Sequence, residues 1–151
     1  MTLTKRKVRI ALESRQEDEV TRHAYAGEWV LRGRSAFLHY EEEEDGGRVR
    51  TVMRWGEDEI KITRRGDVET EQTFVPNARR GGSYRMGGLS FPMETVTDAI
   101  AFRDPQAQGE GARRDSMALP LTIEWSYSLW MEDQQIGRFE IRLDIWEDDR
   151  Q

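Results

Sequence analysis

The sequence predicts an all-β fold, namely a single antiparallel meander β-barrel of about eight to ten strands. Apolar and polar side chains alternate along most of the chain with a period of two, which is typical of strands that bury one face. Turn-forming residues interrupt the alternation at short intervals, and no stretch shows helical periodicity. Strands with one apolar face each must stack or close on themselves, and long hairpin-linked strands favour closure.

The first half of the chain contains four alternating segments. They predict strands over residues 8–12, 20–31, 36–40 and 49–55. Gly27 lies in the middle of the second segment, where a glycine indicates a β-bulge or a sharp bend. Gly46 and Gly47 lie between the third and fourth segments and supply the positive φ angles that a tight hairpin needs.

The second half continues the same pattern. Six further segments predict strands over residues 60–62, 68–74, 84–86, 89–102, 119–131 and 139–145. The pairs Gly81–Gly82 and Gly87–Gly88 flank one of these strands and are interpreted as turns. They are not interpreted as phosphate-binding loops, because such a loop is followed by a helix. The segment 104–116 is rich in Gly, Gln, Arg and Pro and predicts a mobile surface loop. Residues 1–151 are expected to form one domain.

The composition argues against several classes of function. The chain has 151 residues, of which 36% are hydrophobic and 34% charged, and this allows one domain-sized core. It has no cysteine, so disulfides and thiolate chemistry are excluded. The net charge of −6 disfavours nucleic-acid binding. No apolar run approaches the roughly 20 residues that span a bilayer, and the basic start lacks the apolar core of a signal peptide. We therefore expect a cytoplasmic protein with no nucleic-acid or membrane partner.

An ordered series of short segments carries a family resemblance: FLHYEE at 37–42, GRVRTV at 47–52, RRG at 64–66, QTFV at 72–75, SYRM at 83–86 and GL at 88–89. In this series the chain resembles the YwiB-like family of small bacterial proteins of unknown function. The resemblance extends from Val8 to Ile145. It implies a calycin-like (lipocalin-like) barrel and no particular chemistry, because a fold alone does not determine a function.

Several polar side chains occupy positions that the alternation places inside the barrel. They are Arg64, Gln72, Tyr84 and Tyr127, with His23 as a fifth candidate. A buried guanidinium is costly unless it is paired. Arg64 therefore needs either an internal carboxylate or the carboxylate or phosphate of a ligand, which it would hold with two hydrogen bonds. The sequence leaves a structural network and a ligand-binding site both open.

Metal binding and catalysis find little support in the sequence. The acidic run from Glu41 to Asp45 has oxygen ligands for a hard cation, but successive side chains of a strand point to opposite faces. We interpret this run as a solvated hairpin end. The two histidines, His23 and His39, have no neighbouring set of ligands, and no catalytic spacing is recognisable. No metal, cofactor or catalytic residue is predicted. Of the three functions considered, an enzyme that uses His23 and Glu94 at the barrel mouth has the least support.

Two functions follow as hypotheses. The first is the binding of a small amphipathic or anionic ligand inside the barrel without catalysis, with Arg64 holding the charged group. The alternative is a protein-interaction module or homodimer. Trp130 and Trp146 occupy outward positions near one hairpin end, where two exposed indoles would form a contact patch.

Overall fold

The computed structural model describes residues 3–44, 47–56, 58–104 and 118–149, apart from the side chains of Leu3 and Glu44. Within these ranges the chain forms ten strands: β1 (Leu3–Gln16), β2 (Glu19–Arg32), β3 (Ser35–Glu44), β4 (Gly47–Gly56), β5 (Glu59–Arg65), β6 (Val68–Phe74), β7 (Ala78–Met86), β8 (Leu89–Arg103), β9 (Leu121–Met131) and β10 (Gln134–Glu147). This part of the chain has no helix that could cross a membrane. The loop predicted at 104–116 lies, from residue 105 onward, outside the described residues.

The ten strands form one closed antiparallel barrel. Each strand pairs with its neighbours in sequence, and β1 pairs with β10 from Val8–Glu147 to Arg15–Glu140, which closes the ring. The prediction of an all-β antiparallel meander barrel is therefore confirmed.

The two ends of the barrel differ in their content. One end of the barrel, where β1, β3, β5, β7 and β9 finish, is called here the open end, and the end where these strands begin is called the packed end. At the packed end the indoles of Trp29 and Trp55 are fully buried, with ring centroids 5.4 Å apart. Fully buried aliphatic side chains surround them: Leu38, Ile60, Leu121, Ile123, Leu143 and Ile145. Each such side chain stabilises the fold by roughly 1.5–3 kcal/mol.

The outer face of the barrel carries ion pairs between neighbouring strands. Examples are Lys61–Glu71 at 2.9 Å and Arg103–Glu124 at 3.2 Å. Exposed pairs of this kind contribute at most about 1 kcal/mol each. The stability of the fold therefore depends mainly on the apolar interior.

Gly27 marks the point where β2 and β3 separate. The pairing of β2 with β3 ends at Gly27–Tyr40, whereas β2 continues along β1 to Glu19. A Cβ at Gly27 would lie 2.6 Å from the carbonyl oxygen of His39 and 2.9 Å from Cδ1 of Ile10. The register between β1 and β2 is unbroken, so the structure has no bulge here. The glycine instead allows close contact at the last paired position.

The two glycine pairs of the second half have different roles. Gly87 and Gly88 have positive φ angles of 58° and 82° and form the predicted turn between β7 and β8. Gly81 and Gly82 lie inside β7, so the turn predicted there is wrong. A Cβ at Gly82 would collide with the carbonyl oxygen of Glu71, which explains why β7 needs a glycine at this position.

The close contact at Gly27 leads to a stability prediction. We expect Gly27→Ala to lower the free energy of unfolding by about 1–3 kcal/mol, because the added methyl group forces β2 and β3 apart. The matched control is Gly81→Ala, since a Cβ there would meet nothing within 4 Å. This control should stay within about 0.5 kcal/mol of the wild type. Urea unfolding followed by tryptophan fluorescence measures both values, and equal stability of the two variants would contradict the role given to Gly27.

Candidate functional site

A cavity of about 440 Å³ occupies the open end of the barrel and opens to solvent. One part of its wall is aromatic and consists of Tyr25, Tyr40, Phe74, Trp125 and Tyr127. The other part is polar and includes His23, Glu42, Thr51, Arg64 and Gln72. These side chains come from six strands and meet because each occupies an inward position of its strand.

Glu42 and Arg64 form an ion pair in the cavity. Nη2 of Arg64 donates a hydrogen bond to Oε2 of Glu42 at 2.6 Å, and Nε donates to the same oxygen at 3.2 Å. The carboxylate also accepts hydrogen bonds from the hydroxyl groups of Tyr25 at 2.8 Å and Thr51 at 3.3 Å. The Glu42 side chain is only 13% exposed, so these donors offset much of the cost of removing its charge from water.

The ion pair answers the question that the sequence left open for Arg64. The guanidinium has an internal carboxylate as its partner, which is the first of the two alternatives. An anionic ligand would therefore have to compete with Glu42 for Arg64. Because the two charges compensate each other, the centre of the cavity carries no excess positive charge.

Three rings line the wall beside the carboxylate. Tyr25 stacks between His23 and Tyr40, with ring centroids 6.0 Å and 4.7 Å away. Burial raises the pKa of the Tyr40 hydroxyl above its ordinary value, and the negative charge of Glu42 raises it further. Tyr40 therefore keeps its proton throughout the physiological range and can donate a hydrogen bond.

Tyr127 anchors the opposite wall. Its ring meets Phe74 edge-on at 4.6 Å and stacks on Phe139 at 5.2 Å. Burial raises the pKa of Tyr127 to about 12, while a hydrogen bond with Gln72 acts in the opposite direction. The site thus combines flat apolar surfaces with neutral hydroxyl and amide groups, which can bind a molecule that is partly apolar and partly hydrogen-bonding.

The structure brings four of the five candidate ligand-binding residues to this cavity. Arg64, Gln72, Tyr127 and His23 line it, although His23 is exposed. Tyr84 does not line it. Its ring lies 6.3 Å from that of Phe91 on the β7–β8 hairpin, at the open end of the barrel.

Glu42 is the residue that the sequence interpretation missed. We predicted the whole acidic run as a solvated hairpin end, and for Glu42 this is wrong. The signal was available, because Ala36, Leu38 and Tyr40 are buried on the same strand and Glu42 continues their alternation. The neighbouring Glu41 follows the expectation, since it is exposed and forms an ion pair with Arg50 at 3.3 Å.

The residues of the catalytic hypothesis do not face each other. His23 lines the cavity, whereas Glu94 lies between the buried Met93 and Thr95 and therefore points outward. Glu94 forms an ion pair with Arg79 at 3.4 Å. Within the described ranges, no three His, Asp or Glu side chains are grouped so as to hold a metal ion.

The two outward tryptophans lie far apart, which corrects the prediction of one contact patch. Trp130 pairs in register with Gln135 beside the β9–β10 turn, whereas Trp146 lies near the opposite end of β10. The guanidinium of Arg79 lies 5.1 Å from the centre of the Trp130 ring, and that indole is partly buried. Trp146 is 42% exposed.

The ion pair leads to a second stability prediction. We expect Arg64→Met to lower the free energy of unfolding by about 1–3 kcal/mol, because it leaves the Glu42 carboxylate without its cationic partner. The control Arg65→Met changes the adjacent, exposed arginine and should stay within about 0.5 kcal/mol of the wild type. Urea unfolding measures both, and an Arg64→Met variant as stable as the control would show that the pair adds nothing to the fold.

Comparisons with known proteins agree with this architecture. A family model described as "Domain of unknown function (DUF1934)" matches residues 7–143. The uncharacterized beta-barrel protein YwiB of Bacillus subtilis is 29% identical over 93 residues, which cover 62% of this chain and 66%, just under two thirds, of that protein. The crystal structure of the ywiB protein from Bacillus subtilis matches with a TM-score of 0.72 at 19% identity, over 97% of this chain and 93% of that one. These matches confirm the resemblance to the YwiB-like family.

Proposed function

The chain belongs to the DUF1934 family. We propose that its barrel binds a small amphipathic molecule at the open end without catalysing a reaction. The observation that carries the proposal is the difference between the two ends. Side chains fill the packed end, whereas the open end keeps a cavity of about 440 Å³ around a polar centre.

The size and lining of the cavity support small-molecule binding. Ligand sites commonly have volumes of about 300–1,000 Å³, with mostly apolar walls and a few well-placed polar groups. The rings of Tyr25, Tyr40, Phe74, Trp125 and Tyr127 supply apolar walls of this kind. Because many of these side chains also pack against the buried core, a ligand would meet surfaces that are already ordered.

The polar centre supports a binding role of its own. Tyr25, Thr51 and Arg64 hold Glu42 in one orientation, so its carboxylate is already in place when a ligand enters. The original hypothesis gave Arg64 alone the task of holding an anion. We now assign the polar end of the ligand to the Glu42–Arg64 pair as a unit, because the carboxylate accepts hydrogen bonds and the guanidinium donates them.

A cavity-filling substitution tests this function. N-phenyl-naphthylamine, an uncharged probe that becomes fluorescent in apolar sites, should bind the wild-type protein. Ile141→Trp places a larger side chain on the cavity wall and should weaken probe binding about tenfold or more. The matched control Ile136→Trp makes the same change on the same strand at an exposed position and should leave binding unchanged.

Two outcomes of this experiment would contradict the proposal. One is the absence of probe binding to the folded wild-type protein, which would leave the Glu42–Arg64 pair with a purely structural role. The other is equal binding by the two tryptophan variants, which would locate the probe elsewhere on the molecule.

The exposure of Trp146 supports a second candidate, a homodimer formed through the outer face of β10. Tryptophan is enriched at interface hot spots, and this indole is 42% exposed. We expect sedimentation velocity to show dimers whose population rises with protein concentration, and we expect Trp146→Ser to abolish them. Trp130→Ser serves as the control and should leave them intact. A monomer at every concentration would contradict this candidate.

A further inference from the structure

The β7–β8 hairpin carries apolar side chains that face inward but remain exposed. Met93, Thr95 and Thr97 are buried, so the odd positions of β8 from Leu89 to Thr97 point into the barrel. Leu89 and Phe91 continue this alternation toward the turn, yet they are 61% and 37% exposed. On β7, Tyr84 and Met86 are their partners in register, and Met86 is 48% exposed. We call Tyr84, Met86, Leu89 and Phe91 the apolar lip.

A continuous row of inward positions joins the lip to the polar centre of the cavity. Arg64 pairs in register with Thr70, Thr70 with Tyr84, and Tyr84 with Phe91. Neighbouring strands lie about 4.8 Å apart, so Arg64 and Phe91 are separated by roughly 14 Å along the curved surface of the sheet. Gln72 lies two residues from Thr70 on the same face and lines the cavity. The cavity wall and the lip therefore form one inner surface.

The charges at the cavity restrict the polar end of a ligand. Glu42 compensates the charge of Arg64 through a direct ion pair. An anionic head would meet the Glu42 carboxylate and would have to displace it from the guanidinium. An uncharged head with hydroxyl groups can donate to the carboxylate and accept from the guanidinium while the ion pair stays intact.

From these observations we propose that the ligand is a single-chain amphipath with an uncharged, hydroxyl-bearing head at the Glu42–Arg64 pair and an alkyl chain against the apolar lip. This inference rests on the proposed function, because it names the class of molecule that the same cavity binds. It also explains why large apolar side chains stay exposed on an inward face, since exposed apolar clusters commonly mark binding surfaces.

Displacement of N-phenyl-naphthylamine from the full chain tests the head and the chain separately. Monodecanoylglycerol, decanoate and decyltrimethylammonium share a chain length and differ in charge, and monobutyrylglycerol keeps the uncharged head with a short chain. Each is used below its critical micelle concentration. We expect monodecanoylglycerol to bind about tenfold or more tightly than each of the other three.

Two substitutions locate the chain and the head. Phe91→Ser should weaken the binding of monodecanoylglycerol about five- to tenfold and leave monobutyrylglycerol unchanged, because only the longer chain reaches the lip. The control Val20→Ser removes an apolar side chain that is also 37% exposed but lies on the outer face, and it should change neither affinity. Glu42→Gln should shift the preference toward decanoate, because the Glu42 carboxylate no longer competes with the ligand for Arg64.

The outcomes distinguish this inference from the proposed function. One outcome is that the compounds displace the probe equally well whatever their charge or chain length, and that Phe91→Ser binds them like Val20→Ser. This outcome would contradict the proposed class of ligand and leave small-molecule binding in the cavity supported. A preference for decanoate by the wild-type protein would likewise overturn the uncharged head. If the probe does not bind the folded wild-type protein, both proposals fall together.

Discussion

Closure of the sheet by the pairing of β1 with β10 is the constraint on which the rest of this structure depends. Ten antiparallel strands enclose an interior whose width is set by the number of strands and their stagger, not by the side chains available. Trp29, Trp55 and the aliphatic side chains around them fill that interior at the packed end. Toward the open end the inward positions include polar residues such as Glu42, Thr51 and Gln72, and a cavity remains there.

Glu42 and Arg64 lie where the apolar filling stops. This partly buried ion pair is tolerated because each charge has the other as its partner, and Tyr25 and Thr51 add hydrogen bonds to the carboxylate. The same arrangement gives the cavity a polar group held in a fixed orientation. Stability and the proposed binding therefore use the same contacts, and substitutions at the pair should affect both.

The alternation of the sequence predicts the strands, the closed barrel and the inward positions of Arg64, Gln72 and Tyr127, because the two-residue period is a local property of the backbone. The partner of Arg64 was missed because the surrounding glutamates suggested a solvated turn, although alternation from Tyr40 points Glu42 inward. The separation of β2 from β3 at Gly27 depends on how far these two strands stay paired, which the local alternation does not encode. The opposite positions of Trp130 and Trp146 follow from the β9–β10 hairpin, in which Trp130 lies beside the turn and Trp146 near the far end of β10.

The most direct test of the account is a map of backbone amide chemical shifts, recorded by NMR on the full chain during titration with N-phenyl-naphthylamine. We expect the largest changes around Tyr40, Arg64 and Gln72 at the open end, while the amides of Trp29 and Trp55 at the packed end remain unchanged. Changes concentrated at the packed end or on the outer face, or no changes at saturating probe, would contradict it.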